Sequence, residues 1–83
     1  MPTDEKLTEV QAKYANILMA KPNVIGIAIG FTYEDGILTA EKGIIVMVTE
    51  KLPENQVPPK DRIPHELDGV RVDVQEFGSF IAQ

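Results

Sequence analysis

Two apolar runs, Asn23-Val24-Ile25-Gly26-Ile27-Ala28-Ile29-Gly30-Phe31 and Gly43-Ile44-Ile45-Val46-Met47-Val48-Thr49, stand a hairpin's length apart in a chain of 83 residues. Both are rich in β-branched residues and too short for buried helices, so they read as a pair of strands. A chain of this length folds as one domain, residues 1–83, and buries only about 60% of the surface its unfolded form exposes. The two strands must therefore be the centre of the only core, and neither carries a reactive side chain.

The first run alternates by size rather than by polarity. Ile25, Ile27, Ile29 and Phe31 fall on one face of a strand, and Val24, Gly26, Ala28 and Gly30 on the other. Glycine weakens a strand because it loses more backbone entropy and packs nothing, so a bare face implies close approach by another element. The expectation is that a helix lies on this small-residue face; the alternative is a second subunit or a partner's backbone. Asp35-Gly36, within Tyr33-Glu34-Asp35-Gly36, supplies the positive φ of a hairpin turn, and the loop is expected to run on through Glu41-Lys42-Gly43. The second run, Ile44 to Thr49, shows no alternation and reads as a central strand covered on both faces.

An amphipathic helix precedes the strands. Leu7, Val10, Tyr14, Ile17 and Leu18 recur at helical spacing. Thr3 or Asp4 can cap its first turn, Asp4 and Glu5 suit the positive end of its dipole, and Lys21 before Pro22 ends it. After the second strand, Pro53, Pro58, Pro59 and Pro64 punctuate a polar crossover, with a short helical turn at Glu54 to Val57 that Pro58-Pro59 would stop. Asp68-Gly69 is a second turn signal. Beyond it Val70, Val72 and Val74 alternate with Arg71, Asp73 and Gln75 as a half-buried strand suited to a sheet edge, with Phe77 placed to close the core. The predicted fold is α+β, in the order helix, strand, strand, crossover, strand. The helix spans about 4–20 and packs on a three-stranded, largely antiparallel sheet with strands at about 23–33, 43–49 and 69–77. The sequence leaves open whether the third strand adds beside the first or the second.

Catalytic constellations fail in turn. Thirteen acidic against eight basic residues give a net charge of −5, which argues against nucleic acid, whose ligands carry a basic surplus on one face. With no cysteine there is no thiolate nucleophile or Cys-based metal site. A Ser-His-Asp triad would have to join His65 and Ser79 with Asp68 or Asp73, yet Ser79 falls in a C-terminal tail that cannot hold a nucleophile in place. His65, Glu66 and Asp68 lack the second histidine at short spacing that a metal site favours. Gly26 and Gly30 open neither a phosphate loop nor a dinucleotide fingerprint. No cofactor and no metal are expected. No apolar run approaches the ~20 residues of a membrane span and no secretory leader begins the chain, so the expected location is cytoplasmic. Two groups remain as a candidate interaction surface: the small-residue stripe Gly26, Ala28 and Gly30, and the cations Lys60, Arg62 and Arg71, which suit an anion or a docking partner unless nearby acids simply balance them.

Lys51-Leu52-Pro53, Pro58-Pro59-Lys60-Asp61-Arg62-Ile63-Pro64 and Asp68-Gly69-Val70-Arg71-Val72-Asp73-Val74, with Pro22-Asn23-Val24-Ile25-Gly26, Gly30 and Glu76-Phe77-Gly78, follow one another in a set order. In this the chain resembles the small leading domain that precedes a trypsin-like serine peptidase domain in a group of bacterial proteins, over about residues 5–79. The resemblance implies an accessory module that restrains or positions a catalytic unit; the peptidase's catalytic residues belong to the following domain, so none transfers to a position here. The leading expectation is a non-catalytic accessory or protein-interaction module, not an enzyme. The alternatives are a small-molecule or anion-binding protein and a stand-alone homo-oligomer. A protein partner or self-association, such as a homodimer, is expected because one helix on three strands is a thin structure.

Overall fold

Helix α1, Asp4–Met19, forms where the sequence sets it. Thr3 is its N-cap, its side-chain oxygen accepting from the Lys6 backbone N–H at 3.1 Å, and Asp4 and Glu5 occupy the first turn. Leu7, Val10 and Leu18 are fully buried and Tyr14 is partly so. Ile17, at the margin of that stripe, is instead 58% exposed. The computed structural model describes residues 2–77; Gly78 and Ser79 lie outside the described residues.

Four strands follow: β1 Val24–Glu34, β2 Ile37–Val48, β3 Glu66–Leu67 and β4 Val70–Glu76. They form one mixed sheet in the order β1-β2-β4-β3, in place of the three-stranded, largely antiparallel sheet expected. β1 and β2 pair antiparallel, β2 and β4 parallel, and β3 and β4 antiparallel. The strand beginning near residue 69 thus adds beside the second strand, which makes β2 central, as its unbroken apolar run required. The extra strand is the pair Glu66–Leu67, folded back on Val70 and Arg71 by the Asp68-Gly69 turn, whose residues have φ of 51° and 81°. Asp35 and Gly36 make the same turn, with φ of 52° and 79°. β2 begins at Ile37, directly after that turn, so Glu41 to Gly43 belong to a strand rather than a loop.

The helix does not lie on the small-residue face. Ile27 pairs with Val46 and Ile29 with Ile44, and these residues meet Leu7, Val10 and Leu18 in the core with Val48, Val70 and Val72. Gly26, Ala28 and Gly30 pair with Met47, Ile45 and Gly43 on the opposite face. The bulky residues are what the helix needs in order to bury apolar area, about 25 cal/mol per Å². A bulge makes this arrangement possible: Val24 pairs with Val48 but Gly26 with Met47, so Ile25 is an extra residue. The strict alternation read from the sequence breaks there, placing Val24 beside the core and leaving Ile25 50% exposed.

A second irregularity bends the hairpin. Phe31 pairs with Lys42 but Tyr33 with Leu38, so Thr32 faces Thr39, Ala40 and Glu41. Three hydrogen bonds close a ring there: Glu41 N–H donates to Thr39 Oγ1 (3.2 Å), Thr39 Oγ1 to the Thr32 carbonyl (2.8 Å), and Thr32 Oγ1 to the Glu41 carbonyl (2.9 Å). Thr32 is fully buried, and the ring supplies the bonds that the interrupted ladder cannot. Beyond it the tip of the hairpin crosses the sheet's second face to reach β4, which is not β1's neighbour. The Tyr33 N–H donates to Asp73 Oδ2 at 2.8 Å and Arg71 donates to the Tyr33 carbonyl at 3.2 Å.

Candidate functional site

The crossover from β2 to β4 builds one wall of a cleft. Its prolines fix it as two short 3₁₀ turns, Glu54–Gln56 and Pro59–Asp61. The first stands where a turn was read, and Val57 before Pro58-Pro59 ends it as proline requires. Arg62 holds the bend by donating from Nε to the carbonyls of Glu54 (3.2 Å) and Val57 (3.0 Å). Ile63 packs against the core, and Lys21 donates to the Lys60 carbonyl at 3.1 Å, tying the crossover to the end of α1.

The opposite wall is the bent hairpin tip, Tyr33 to Asp35. Arg71 anchors it through a 2.9 Å bond to Glu34, with Glu41 at 4.0 Å. The Glu34 carboxylate raises the guanidinium's already high pKa, against a smaller desolvation effect. Between the walls runs β4, which contributes Val72 and Val74 from the core face and Arg71 and Asp73 from the other. A cleft lined by both faces of one strand follows that strand's edge. Its volume is about 610 Å³, and a smaller hollow of about 420 Å³ continues it along Asp73 to Glu76.

The residues singled out from the sequence fall in separate places. Arg62 and Arg71 both line the cleft, and Lys60 does not. The two guanidinium groups do not converge, since Arg62 is engaged by crossover carbonyls and Arg71 by the hairpin tip. Gly26, Ala28 and Gly30 lie together on the sheet's second face. There a Cβ on Gly26 would meet the mobile end of Met47, and one on Gly30 would rest 3.6 Å from Ile45. The closest backbone approach belongs instead to Gly43, which the sequence reading placed in a loop. A Cβ there would collide with the Arg71 carbonyl and lie 2.9 Å from Thr32 Cγ2. Gly43 is where β2 stands closest to the backbone of β4, with the Thr32 bend beside it.

The catalytic candidates do not assemble. His65 Nε2 lies 2.6 Å from Glu54 Oε1, on an exposed surface. Asp68 is engaged elsewhere, accepting from Lys13 Nζ at 2.9 Å and from the Tyr14 hydroxyl at 2.8 Å. Lys13 first and Tyr14 second hold its pKa below the usual carboxylate range, and Asp68 in turn raises that of Lys13. Asp73 accepts from Tyr33 and Gln75. Among the described residues no three His, Cys, Asp or Glu side chains are grouped to hold a metal ion, and no helix is long and apolar enough to cross a membrane.

No curated protein matches the chain. A family model described as the NARROW LEAF 1 N-terminal domain matches residues 4–75, which takes in α1, the hairpin, the crossover and all but the last residue of β4. Both walls of the cleft and its floor lie within the match. The chain therefore belongs to the NARROW LEAF 1 N-terminal domain family.

Proposed function

We propose that this domain is a non-catalytic protein-interaction module, an accessory unit that works by associating with another polypeptide. One observation carries the reading: the sheet is covered by α1 and the crossover on one side, while the stretch of Gly26, Ala28, Gly30 and Met47 on the other bears no helix among the described residues. Apolar residues stand exposed along the same hairpin, with Ile25 50%, Phe31 48%, Ile37 70% and Leu38 56% exposed. Where such exposure is contiguous it marks association surfaces. The resemblance to domains that lead a trypsin-like peptidase makes such a peptidase domain the first partner to try. A small-molecule binder is the second reading, favoured by a cleft volume within the ~300–1,000 Å³ range of ligand sites.

Sedimentation of the 83-residue chain over a wide concentration range, alone and mixed with a trypsin-like peptidase domain, tests the proposal. Concentration-dependent self-association or a complex is expected. A strict monomer that ignores the peptidase overturns it, as does a hydrolytic activity of the purified chain that disappears in His65→Ala.

A further inference from the structure

We propose that the outer edge of β4 takes up an extended segment of a partner, alternating basic and apolar residues, as an added strand. This rests on the interaction-module reading and names the site and the kind of polypeptide it would engage.

The backbone of β4 fixes the geometry. The Phe77 N–H donates to the Val48 carbonyl at 2.9 Å, toward β2, whereas the Val72 N–H donates to the His65 carbonyl at 2.9 Å, on the side of β3. In a strand the N–H and C=O of one residue point to the same side and successive residues alternate. Val72, Val74 and Glu76 therefore face outward. β3 pairs only with Val70 and Arg71, so beyond the His65 bond the N–H and C=O of Val74 and Glu76 have no partner among the described residues. An unpaired edge of this kind is a template for another strand unless the protein blocks it. Here it is the floor of a walled cleft that continues past Val74 to Glu76. Main-chain bonds to a sheet edge with pockets for alternate side chains define strand addition.

The walls specify the side chains. On the core side the cleft presents Leu52, Val57, Ile63, Val72 and Val74, an apolar surface. On the side of the hairpin tip it presents carboxylates, among them Asp35 and Asp73. Glu50, Asp61 and Glu66, also in the lining, have no cation within salt-bridge distance among the described residues. Two of its cations are engaged, Arg71 by Glu34 and Arg62 by two carbonyls; the third, Lys51, is set among eight lining carboxylates, so the cleft is acidic on balance. A strand laid along β4 sends alternate side chains to the two faces, so one set meets the apolar residues and the other meets Asp35 and Asp73, while Glu50, Asp61 and Glu66 add acidic groups along the crossover side.

The test is amide exchange by NMR on the labelled 83-residue chain, titrated with a short capped peptide alternating lysine and valine. Binding is expected, with exchange at Val74 and Glu76 slowed about tenfold and weakened by salt. The same peptide with glutamate for lysine should bind far less. Glu50→Lys with Glu66→Lys, both on exposed residues, should weaken the lysine peptide about threefold to tenfold. Unchanged exchange at Val74 and Glu76 with saturating peptide overturns the proposal, as does equal binding of the glutamate peptide. Protection that rises with protein concentration alone would also overturn it, by assigning the edge to a second copy. If the edge amides stay open while the chain still self-associates or binds a peptidase domain, only this site is lost. If every association is absent, the interaction-module reading falls with it.

Discussion

Adding one methyl group to each of two facing glycines should move stability in opposite directions. Gly30 and Gly43 are cross-strand partners on the same face of the sheet, yet their surroundings differ. A Cβ on Gly30 has Ile45 Cγ1 at 3.6 Å, an ordinary van der Waals contact, and Gly30 has no positive φ. Gly30→Ala then mainly restricts the unfolded chain, a gain of about 0.4–1 kcal/mol. A Cβ on Gly43 collides with the Arg71 carbonyl, a backbone atom that can yield only if β2 and β4 separate or the hairpin tip lifts. Overpacking of that kind costs about 1–3 kcal/mol. At about 4–8 °C per kcal/mol for a domain of this size, Gly43→Ala should lower Tm by about 4–24 °C and Gly30→Ala raise it by about 2–8 °C. Thermal melts of the two variants at one protein concentration, followed by circular dichroism, read both shifts. If Gly43→Ala melts with the parent, β4 does not stand against Gly43 as closely as the Arg71 carbonyl requires, and the strand that floors the cleft is misplaced.

The hydroxyl ring at the bend gives a second prediction: Thr32→Val keeps the buried shape but removes the 2.9 Å donor to the Glu41 carbonyl, leaving it only the longer 3.5 Å contact from Thr39, and chemical denaturation should show a loss of about 1–3 kcal/mol. Leu18→Ala empties a fully buried position under the sheet and should cost about 2–5 kcal/mol in the same assay. The Lys13–Asp68 pair predicts a pH response. Asp68 has a depressed folded-state pKa, so its contribution is complete above the ordinary carboxylate range and is lost as pH falls through the depressed value. Lys13 has a raised one, so its contribution holds below the ordinary lysine range and is lost as pH rises through the raised value. Asp68→Asn should therefore flatten the acid limb of a Tm-against-pH profile.

Features specified by neighbouring residues were readable in the sequence. The cap at Thr3, the stripe Leu7-Val10-Tyr14-Leu18, the stop at Pro22 and the turns Asp35-Gly36 and Asp68-Gly69 each depend on side chains within a few positions, and each stands where it was read. Val70, Val72 and Val74 alternate as a half-buried strand must. β3 was not readable, because two residues carry no period. The first half of β2 was missed for a related reason: Ile37 to Lys42 lie in the bent ribbon, where neither face is steadily buried, so no pattern builds up. Glycine was taken as a sign of close approach at Gly26 and Gly30, where only the side chains of Met47 and Ile45 stand near; the tightest approach falls at Gly43, against the backbone of β4 at Arg71. Phe77, expected to close the core, is instead 36% exposed. The cleft was invisible because its floor and walls come from segments as distant as Tyr33, Leu52 and Asp73, and only the folded topology brings them together.

The parallel pairing of β2 with β4 sets the order in which this chain can mature. β2 is made before the crossover and its second neighbour only after it, so the apolar run of β2 waits beside an open edge while the ribosome completes residues 49–76. Helix α1 is already made, yet its Lys13 and Tyr14 must also wait for Asp68, 55 and 54 residues away. Pairings so distant along the chain delay folding until a large loop has closed. During that interval Ile44 to Val48 offer an exposed strand to any neighbouring nascent chain.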